Sequence, residues 1–335
     1  MKLFRNFIVF SLIVINAGCK FDDKAPDIRD IEVETNIQRF ERELFELDVD
    51  TLPAAIDYFY DKYDDFYDVF SYYIVDLGRP ADKAYSGYFT LFVKDDLNQD
   101  VYKEVNRVYP DLTSLEEQFN RAFAYFKYYF PNRDIPQLVS YISRFNYPYF
   151  TVSDYIGIGL DMYLGTDSEY YVRLGLPRYQ VRNMHPDKIV SDVMGNYATA
   201  LFPYEDSLDN VLSHLIYQGK IMYFLDKLLP AQPDSLKFGF TRDQMKWCRN
   251  NEEEMWTYLV EHELIFSTDE MNIRKLVNPA PFTAFFSSES PGRAAVYIGY
   301  NIIREYASRN PDLDLTLLMK ENDYRMILES ARYNP

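Results

Sequence analysis

Apolar side chains recur every three or four residues along most of the chain, and this spacing predicts a mainly helical protein. In residues 51–75 apolar and aromatic side chains follow this spacing, and Pro53 lies near the first turn, where proline is tolerated. Residues 207–229 form a second strongly apolar segment, which Pro230 ends. Both segments are predicted to be helices of the folded core.

Polar residues that favour helix starts mark further helices. Ser114 with Glu117, and Thr241 with Gln244, have the spacing of a capping box, in which each side chain bonds the backbone N–H of the other. Residues 290–291 (Ser-Pro) have the pattern of an N-cap followed by proline in the first turn. The helix after Thr241 is predicted to extend, as one or two pieces, to about residue 266.

Two short segments favour strands over helices. Residues 138–145 and 155–160 are apolar or aromatic runs of strand length, and Gly157 and Gly159 interrupt the second run. Because the two runs are close in sequence, they are predicted to form the centre of a small sheet. The predicted fold class is therefore mainly α with a small β-sheet (α+β).

The folded part is predicted to be a single mainly helical domain, residues 31–335, because no internal repeat and no linker interrupts it. Residues 19–30 are short and charged and contain Pro26, which is typical of a tether. Long loops are predicted at residues 165–188 and 272–289. Two short helices close the chain, and the last is predicted to begin near Asp323.

The N-terminus has the pattern of a lipoprotein signal peptide. Lys2 and Arg5 precede an apolar run at residues 7–15, which is too short to span a bilayer. Polar Asn16 and two small residues, Ala17 and Gly18, then stand directly before Cys19, and lipoprotein signal peptidase accepts small residues at this place. Residues 1–18 are therefore predicted to be cleaved, and Cys19 is the predicted lipid attachment site. The alternative is an ordinary signal peptide, or an uncleaved anchor, with an incidental cysteine.

Charge excludes some classes of partner. The chain has a formal net charge of −17, and cleavage after residue 18 removes two basic residues and no acid, which leaves 33 basic against 52 acidic residues, or −19. Such a chain is not expected to bind nucleic acid or an anionic lipid surface through charge. The predicted location is the cell envelope, with the lipid as the membrane anchor. Both the inner and the outer membrane, and both the periplasmic and the surface face, are compatible with the sequence.

Residue usage places stability in the core. If Cys19 carries lipid, Cys248 is the only remaining thiol and no intramolecular disulfide can form. The chain has 31 Tyr and 25 Phe, which favours an aromatic core with phenol hydroxyls at its boundary. The alternative is an aromatic surface that binds glycan or protein.

Several short motifs occur in the same order as in a known family. They include residues 159–165 (GLDMYLG), 176–179 (LPRY), 219–220 (GK), 228–230 (LLP), 251–253 (NEE), 290–293 (SPGR) and 298–303 (IGYNII), with Trp247 and Trp256 between them. Together they cover most of the chain after about residue 30 and resemble the gliding-motility lipoprotein B family (GldB) of Bacteroidota.

This resemblance implies an envelope lipoprotein needed for surface gliding, a process tied to type IX secretion. Its implied partners are other envelope proteins of that machinery. The family is also distantly similar to predicted zinc metallopeptidases, so a degenerate zincin-like architecture is an expectation to test.

A zincin needs two histidines four residues apart on one helix, with a glutamate beside the first. The nearest match begins at His262, but Phe266 stands where the second histidine is required, and Gln218 stands four residues after His214. The third histidine is His185. The sequence therefore predicts no metal site, no cofactor and no catalytic residue; a metal site assembled across helices from His214, His262 and a carboxylate is the alternative.

Other nucleophile and cofactor motifs are absent from the sequence. There is no Gly-x-Ser-x-Gly elbow, and the Gly-x-Gly at Gly157 lacks the third glycine of a dinucleotide fingerprint. Cys248 lies in a predicted helix and is expected to be a buried or half-buried structural thiol.

Four charged residues stand in apolar surroundings: Asp161, Lys220, Asp226 and Arg293. Because a charge near a core generally needs a partner, one of the two aspartates is hypothesised to pair with Lys220 or Arg293 in a cleft-lining cluster. The alternative is a structural ion pair, or side chains whose charged ends reach solvent.

Three functions follow from these observations. The favoured one is a non-catalytic envelope lipoprotein of the gliding and type IX secretion apparatus that acts as a scaffold. The alternatives are a metal-dependent, peptidase-like hydrolase and a surface glycan-binding lipoprotein.

Overall fold

The computed structural model describes residues 25–48, 51–205 and 208–335. These residues contain sixteen α-helices and four short β-strands. The predicted fold class, mainly α with a small β-sheet, is confirmed. The predicted signal peptide, Cys19 and the first part of the predicted tether lie outside the described residues.

The sheet has four strands in the order β1-β2-β4-β3. The strands are β1 (Ile37–Arg39), β2 (Gln137–Tyr141), β3 (Tyr149–Val152) and β4 (Tyr155–Gly159). β1 and β4 run parallel to β2, whereas β3 pairs antiparallel with β4. The two predicted strands are confirmed as the central pair, and β1 and β3 were not predicted.

The N-terminal helices surround an aromatic core. They are α1 (Phe40–Phe45), α2 (Leu52–Val69, continued by a π-helical turn Phe70–Ile74), α3 (Tyr85–Lys94), α4 (Asp96–Val108) and α5 (Thr113–Tyr129). The buried Phe40 ring lies edge-on to five rings of α2 and its extension, with centroids 4.8 to 6.0 Å away. Edge-to-face pairs of this kind add stabilisation to the burial of each ring. The predicted aromatic core is confirmed here.

The C-terminal helices form a second group around one long, buried helix. The group comprises α6 (Glu169–Arg173), α7 (Arg178–Val181), α8 (Ile189–Leu201), α9 (Val211–Leu228), α10 (Asp234–Phe238), α11 (Arg242–Asn250), α12 (Glu252–Glu261), α13 (Glu270–Val277), α14 (Ala295–Arg309), α15 (Leu315–Lys320) and α16 (Tyr324–Ala331). α9 contacts α5, α8, α10, α13, α14, α15 and α16. Its position explains why the segment is apolar on nearly all faces.

Helix starts agree with the sequence where the capping contacts are local. Thr241 and Gln244 form the predicted capping box at 3.1 Å in both directions, and two abutting helices follow. The final helix begins after Asp323, whose side chain accepts from the N–H of Met326. The predicted helix at residues 51–75 is also confirmed as α2 with its π-helical turn.

Other predicted starts are wrong. α5 begins at Thr113, so Ser114 lies inside the helix and forms no cap. α9 begins at Val211, where Asn210 and Ser213 form the capping box. α14 begins at Ala295 because the Ser290 hydroxyl is bonded to the loop at Thr283 instead of capping a helix.

The two predicted long loops contain short helices. Residues 165–188 include α6 and α7, and residues 272–289 include most of α13. These helices have between four and eight residues. Segments of this length show too few periodic positions for the pattern to distinguish them from a loop.

α9 and α14 make the most extensive helix contact, and two glycines permit it. A Cβ on Gly219 would lie 2.3 Å from the carbonyl oxygen of Gly299, and a Cβ on Gly299 would lie 1.8 Å from the carbonyl oxygen of Leu215. Both distances are far below van der Waals contact. The two backbones therefore touch directly, and a side chain at either position would push the helices apart.

We expect Gly299→Ala to destabilise the protein by about 3 kcal/mol or more, because backbone atoms cannot move aside as a side chain can. Gly87→Ala is the matched control: Gly87 is an exposed position inside α3 with no atom within 4 Å of the new Cβ. There alanine should stabilise the helix by about 0.5–1 kcal/mol. Urea unfolding of the purified variants measures both effects, and equal midpoints for Gly299→Ala and wild type would contradict the close crossing.

Candidate functional site

Asp161 holds a strained loop through backbone hydrogen bonds. Its buried carboxylate accepts from the N–H of Ser143 at 3.0 Å and of Phe145 at 2.7 Å, and from the Ser143 hydroxyl at 3.2 Å. Arg144 and Phe145 both have left-handed backbones, with φ of 60° and 61°. Successive N–H groups in such a turn form an anion-binding concavity. Asp161 is thus the internal anion of a backbone nest.

Burial dominates the ionisation of Asp161. Loss of hydration raises the pKa of Asp161 to about 6, although the hydrogen bonds from Ser143 and Phe145 oppose this shift. The carboxylate lies inside the protein and has its own donors, so its role is to fix the loop after β2.

Lys220 joins α9 to the C-terminal helices. Its ammonium group donates to the carbonyls of Met319 at 3.1 Å and Glu321 at 2.7 Å, and it lies 5.1 Å from the centre of the Tyr324 ring. The side chain is fully buried, and this burial lowers the pKa of Lys220 to about 8. Lys220 therefore satisfies carbonyl groups at the end of α15.

Asp226 has two donors from neighbouring elements. Its carboxylate accepts from Lys237 on α10 and from the Tyr300 hydroxyl on α14. Lys237 also lies 3.6 Å from Asp234. This network fixes α10 against the crossing of α9 and α14.

The hypothesised pairing is therefore corrected: within the described parts of the chain, no ion pair joins Asp161 or Asp226 to Lys220 or Arg293. Asp161 is satisfied by backbone N–H groups and Asp226 by Lys237, both closer than the proposed partners. Of the four residues only Arg293 lines the cleft described next, and Asp226 reaches it through Lys237.

The cleft containing Arg293 has a volume of about 330 Å³ and lies between α7, α8, α9, α10 and the loop before α14. Its charged lining consists of four basic residues and one acid: Arg182, Lys188, Lys237, Arg293 and Asp192. In the chain as a whole acidic residues outnumber basic ones, 52 to 35, whereas in the lining of this cleft basic residues outnumber acidic ones. Apolar residues of α9, including Ile221 and Leu225, form another part of the wall.

Two of the four cations are neutralised within the protein. The Lys188 ammonium is bonded to Asp192 and to the Ser191 hydroxyl, and Asp192 also accepts from the Tyr163 hydroxyl at 3.1 Å. Lys237 is bonded to Asp226. These pairs form part of the wall and carry no net charge.

The two arginines have no such partner. In the described residues neither forms an ion pair, and in each the Nε is shielded from solvent without a hydrogen-bond acceptor. One terminal nitrogen of Arg182 donates to the carbonyl of Gly239 at 3.2 Å. Burial lowers the pKa of both guanidinium groups, while Tyr149 and Asp192 favour the charged form of Arg293.

The backbone at Arg293 is strained and tightly held. Its φ is 56°, a left-handed conformation that is unfavourable for a residue with a side chain. The Thr283 hydroxyl donates to the carbonyl of Pro291 at 2.7 Å and accepts from the N–H of Ala294 at 2.8 Å. A Cβ on Gly292 would lie 1.9 Å from the carbonyl oxygen of Ala280. These contacts fix the turn from which Arg293 enters the cleft.

His214 and His262 have local partners, and none of the three histidines lines this cleft. His214 is bonded to Asp209 at 2.7 Å and stacks on Tyr204; His262 stacks on Tyr258 at 3.9 Å. α12 ends at Glu261, so the segment from His262 to Phe266 is not part of a zincin-type helix. Within the described residues, no group of three or more His, Cys, Asp or Glu side chains is placed to hold a metal ion.

Cys248 is a buried thiol, as predicted. It has no exposed surface, and burial raises the pKa of Cys248 to about 12. A thiol in this environment is unreactive because the thiolate is the nucleophilic form.

Sequence reasoning selected Arg293 but missed Arg182, Lys188, Asp192 and Lys237. Arg182 and Lys188 lie in the segment predicted to be a loop, where charge is ordinary. One signal was available: the motifs at residues 176–179 and 290–293, far apart in sequence, both contribute lining residues to this cleft.

A family model described as "Gliding motility protein GldB" matches residues 22–335. The match covers nearly the whole chain, so the chain belongs to this family. Membership identifies it as a gliding-motility lipoprotein, associated with the cell envelope and the motility machinery. No curated protein and no solved structure matches the chain. Among the described residues, no helix is both long and apolar enough to cross a membrane.

The raised pKa of Asp161 leads to a pH-dependent prediction. The folded protein binds this proton more tightly than the unfolded chain, so the contribution of Asp161 to stability is complete below about pH 4 and is lost as the pH rises through about 6. Asp161→Asn cannot ionise and loses an acceptor for the loop. We expect it to be less stable than wild type at pH 4, with the difference shrinking by roughly 2–3 kcal/mol at pH 7.

Urea unfolding of wild type and Asp161→Asn at several pH values between 4 and 7 measures this difference. The exposed Asp312→Asn variant reports the effect of removing one negative charge. A constant difference between wild type and Asp161→Asn across this range would show that Asp161 ionises normally.

Proposed function

We propose that this protein is a lipid-anchored, non-catalytic component of the gliding and type IX secretion apparatus, and that it acts as a scaffold for other envelope proteins. The observation that carries the proposal is the extent of the family match. It begins at residue 22, three residues after Cys19, and continues to residue 335. The whole folded part thus follows a cysteine placed to carry lipid.

A non-catalytic role is supported by the chemistry of the side chains. His214 and His262 are held by local contacts, and the only thiol of the described residues is buried. Asp161, Lys220 and Asp226 each have internal partners that give them structural roles. A general base or nucleophile would instead need a position within reach of a bound substrate.

The peptidase alternative requires a metal site, and its nearest sequence match leaves the helix at His262. The glycan-binding alternative requires flat, exposed rings. Trp247 and Trp256 are both partly buried in helices, and the exposed Tyr72 and Tyr73 rings are nearly perpendicular, at 87°. Perpendicular rings do not make a flat platform for a sugar ring. These observations favour the scaffold over both alternatives.

We further propose that residues 31–335 form a single domain. Supporting this, one continuous group of buried apolar side chains includes residues from Ile37 to Tyr333. A scaffold of this kind would present one rigid body to its partners. Residues 1–18 remain the proposed signal peptide and Cys19 the proposed lipid attachment site.

Deletion of the gene in the native host should abolish colony spreading and reduce secretion of type IX cargo. Wild type should restore both, whereas Cys19→Ala should restore neither and should leave the membrane fraction, because the lipid is the proposed anchor. Cys248→Ala is the matched control, since it removes the other thiol and leaves Cys19 intact. Spreading, cargo secretion and membrane fractionation are the measurements.

Two outcomes would contradict parts of the proposal. Intact spreading and secretion after deletion would exclude a role in the machinery. Full complementation by a Cys19→Ala protein that has left the membrane would show that the anchor is not needed.

A further inference from the structure

The cleft around Arg293 has a net positive charge that the protein does not neutralise. Lys188 and Lys237 are paired with Asp192 and Asp226, so their charges cancel. Arg182 and Arg293 remain, and together they leave two positive charges at one cleft. An uncompensated charge removed from water is costly, and a protein generally supplies a partner for it. In the described residues that partner is missing, which points to a ligand.

The geometry of the two side chains indicates the type of ligand. A guanidinium group is a planar fork of five N–H donors and suits the oxygens of carboxylate and phosphate groups. In both arginines the Nε is shielded from bulk water and lacks an acceptor. Both side chains line the same cleft, so the guanidinium groups belong to a single, partly desolvated site in which an oxyanion would be bound strongly.

The charge count distinguishes between oxyanions. A carboxylate carries one negative charge, whereas a phosphate monoester carries about −1.5 to −2 near neutral pH and three acceptor oxygens. Two guanidinium groups without an ion-pair partner match the charge of a phosphate monoester better than that of a carboxylate. We propose that the cleft binds a small phosphate ester whose phosphoryl group lies between the guanidinium groups of Arg182 and Arg293.

The remaining lining suits the rest of such a ligand. The volume of about 330 Å³ lies at the lower end of the range for small-molecule sites. Polar side chains of Asn183, Asn196 and Gln218 and apolar side chains of α9 face the same space. This mixture can contact a small organic group that carries hydroxyls.

The strained turn at Arg293 supports a binding role. A left-handed backbone at a residue with a side chain persists only where the surroundings enforce it, and such positions cluster at ligand sites. Here Thr283 bonds both sides of the turn, and Gly292 packs directly against the backbone of Ala280. Arg293 is therefore presented to the cleft in advance, which reduces the entropy lost on binding.

Isothermal titration of the purified full chain with inorganic phosphate, at about 150 mM salt so that surface charge is screened, tests the proposal. We expect saturable binding that Arg293→Met weakens at least about tenfold and Arg182→Met weakens severalfold, because each removes one fork. Arg325→Met is the matched control: it removes the same charge from the exposed face of α16 and should leave phosphate affinity unchanged. Acetate, a monoanion, should bind at least about tenfold more weakly than phosphate.

Thermal unfolding of each variant separates lost binding from lost folding. If Arg293→Met does not fold, Arg182→Met and the charge-retaining Arg293→Lys provide the same comparison. If vesicles containing phosphatidic acid compete with phosphate, the phosphate ester is a lipid headgroup. If the vesicles do not compete, the ligand is a free phosphate ester. No phosphate binding at about 10 mM, or equal affinity in wild type and both arginine variants, would overturn the proposal. These binding measurements do not depend on motility, so their outcome is independent of whether the proposed role in gliding and secretion holds.

Discussion

The direct backbone contact between α9 and α14 is the constraint on which the C-terminal half depends. Gly219 and Gly299 let the helices approach until carbonyl groups occupy the space of side chains. Because the contact is this close, the register of the two helices is fixed. Within the next two turns of α9, Ile221, Met222 and Leu225 form a wall of the cleft, and α14 begins directly after the turn that carries Arg293. The crossing therefore sets the position of Arg293 relative to the opposite wall.

The same crossing explains why the charged residues of α9 are tolerated in an apolar helix. Lys220 follows Gly219 and reaches the carbonyls at the end of α15, and Asp226 accepts from Tyr300 on α14. Each charge is satisfied by a neighbour that the crossing places within reach. The buried charges of this protein thus stabilise a particular arrangement of helices, since any shift would leave one of them without a partner.

The sequence predicted those features that depend on local contacts. The apolar spacing that predicted α2 and the Thr241–Gln244 capping box depend only on residues close in the chain, and both the helix and the capping box are present. The Ser290 cap failed because its hydroxyl bonds the loop at Thr283, a contact that only the tertiary structure creates. β1 and β3 have three and four residues, too few for an alternating pattern to show. The sequence could single out Arg293 as a charged residue among apolar ones. It could not predict the cleft, because Arg182 lies in a distant polar segment where a charged residue is unremarkable.

The net charge of the protein and the basic cleft act over different distances. At physiological ionic strength the field of exposed charges decays within about 8 Å, whereas groups shielded from water are screened much less. The excess of acidic residues therefore opposes polyanions, which must contact a large area of surface, more than it opposes a small anion entering a single cleft. The acidic residue that lines the cleft, Asp192, is already bonded to Lys188 and Tyr163. A small dianion there would meet the guanidinium groups of Arg182 and Arg293, which form no ion pair, and little opposing charge, so an acidic protein can select a small phosphate ester and still exclude nucleic acid.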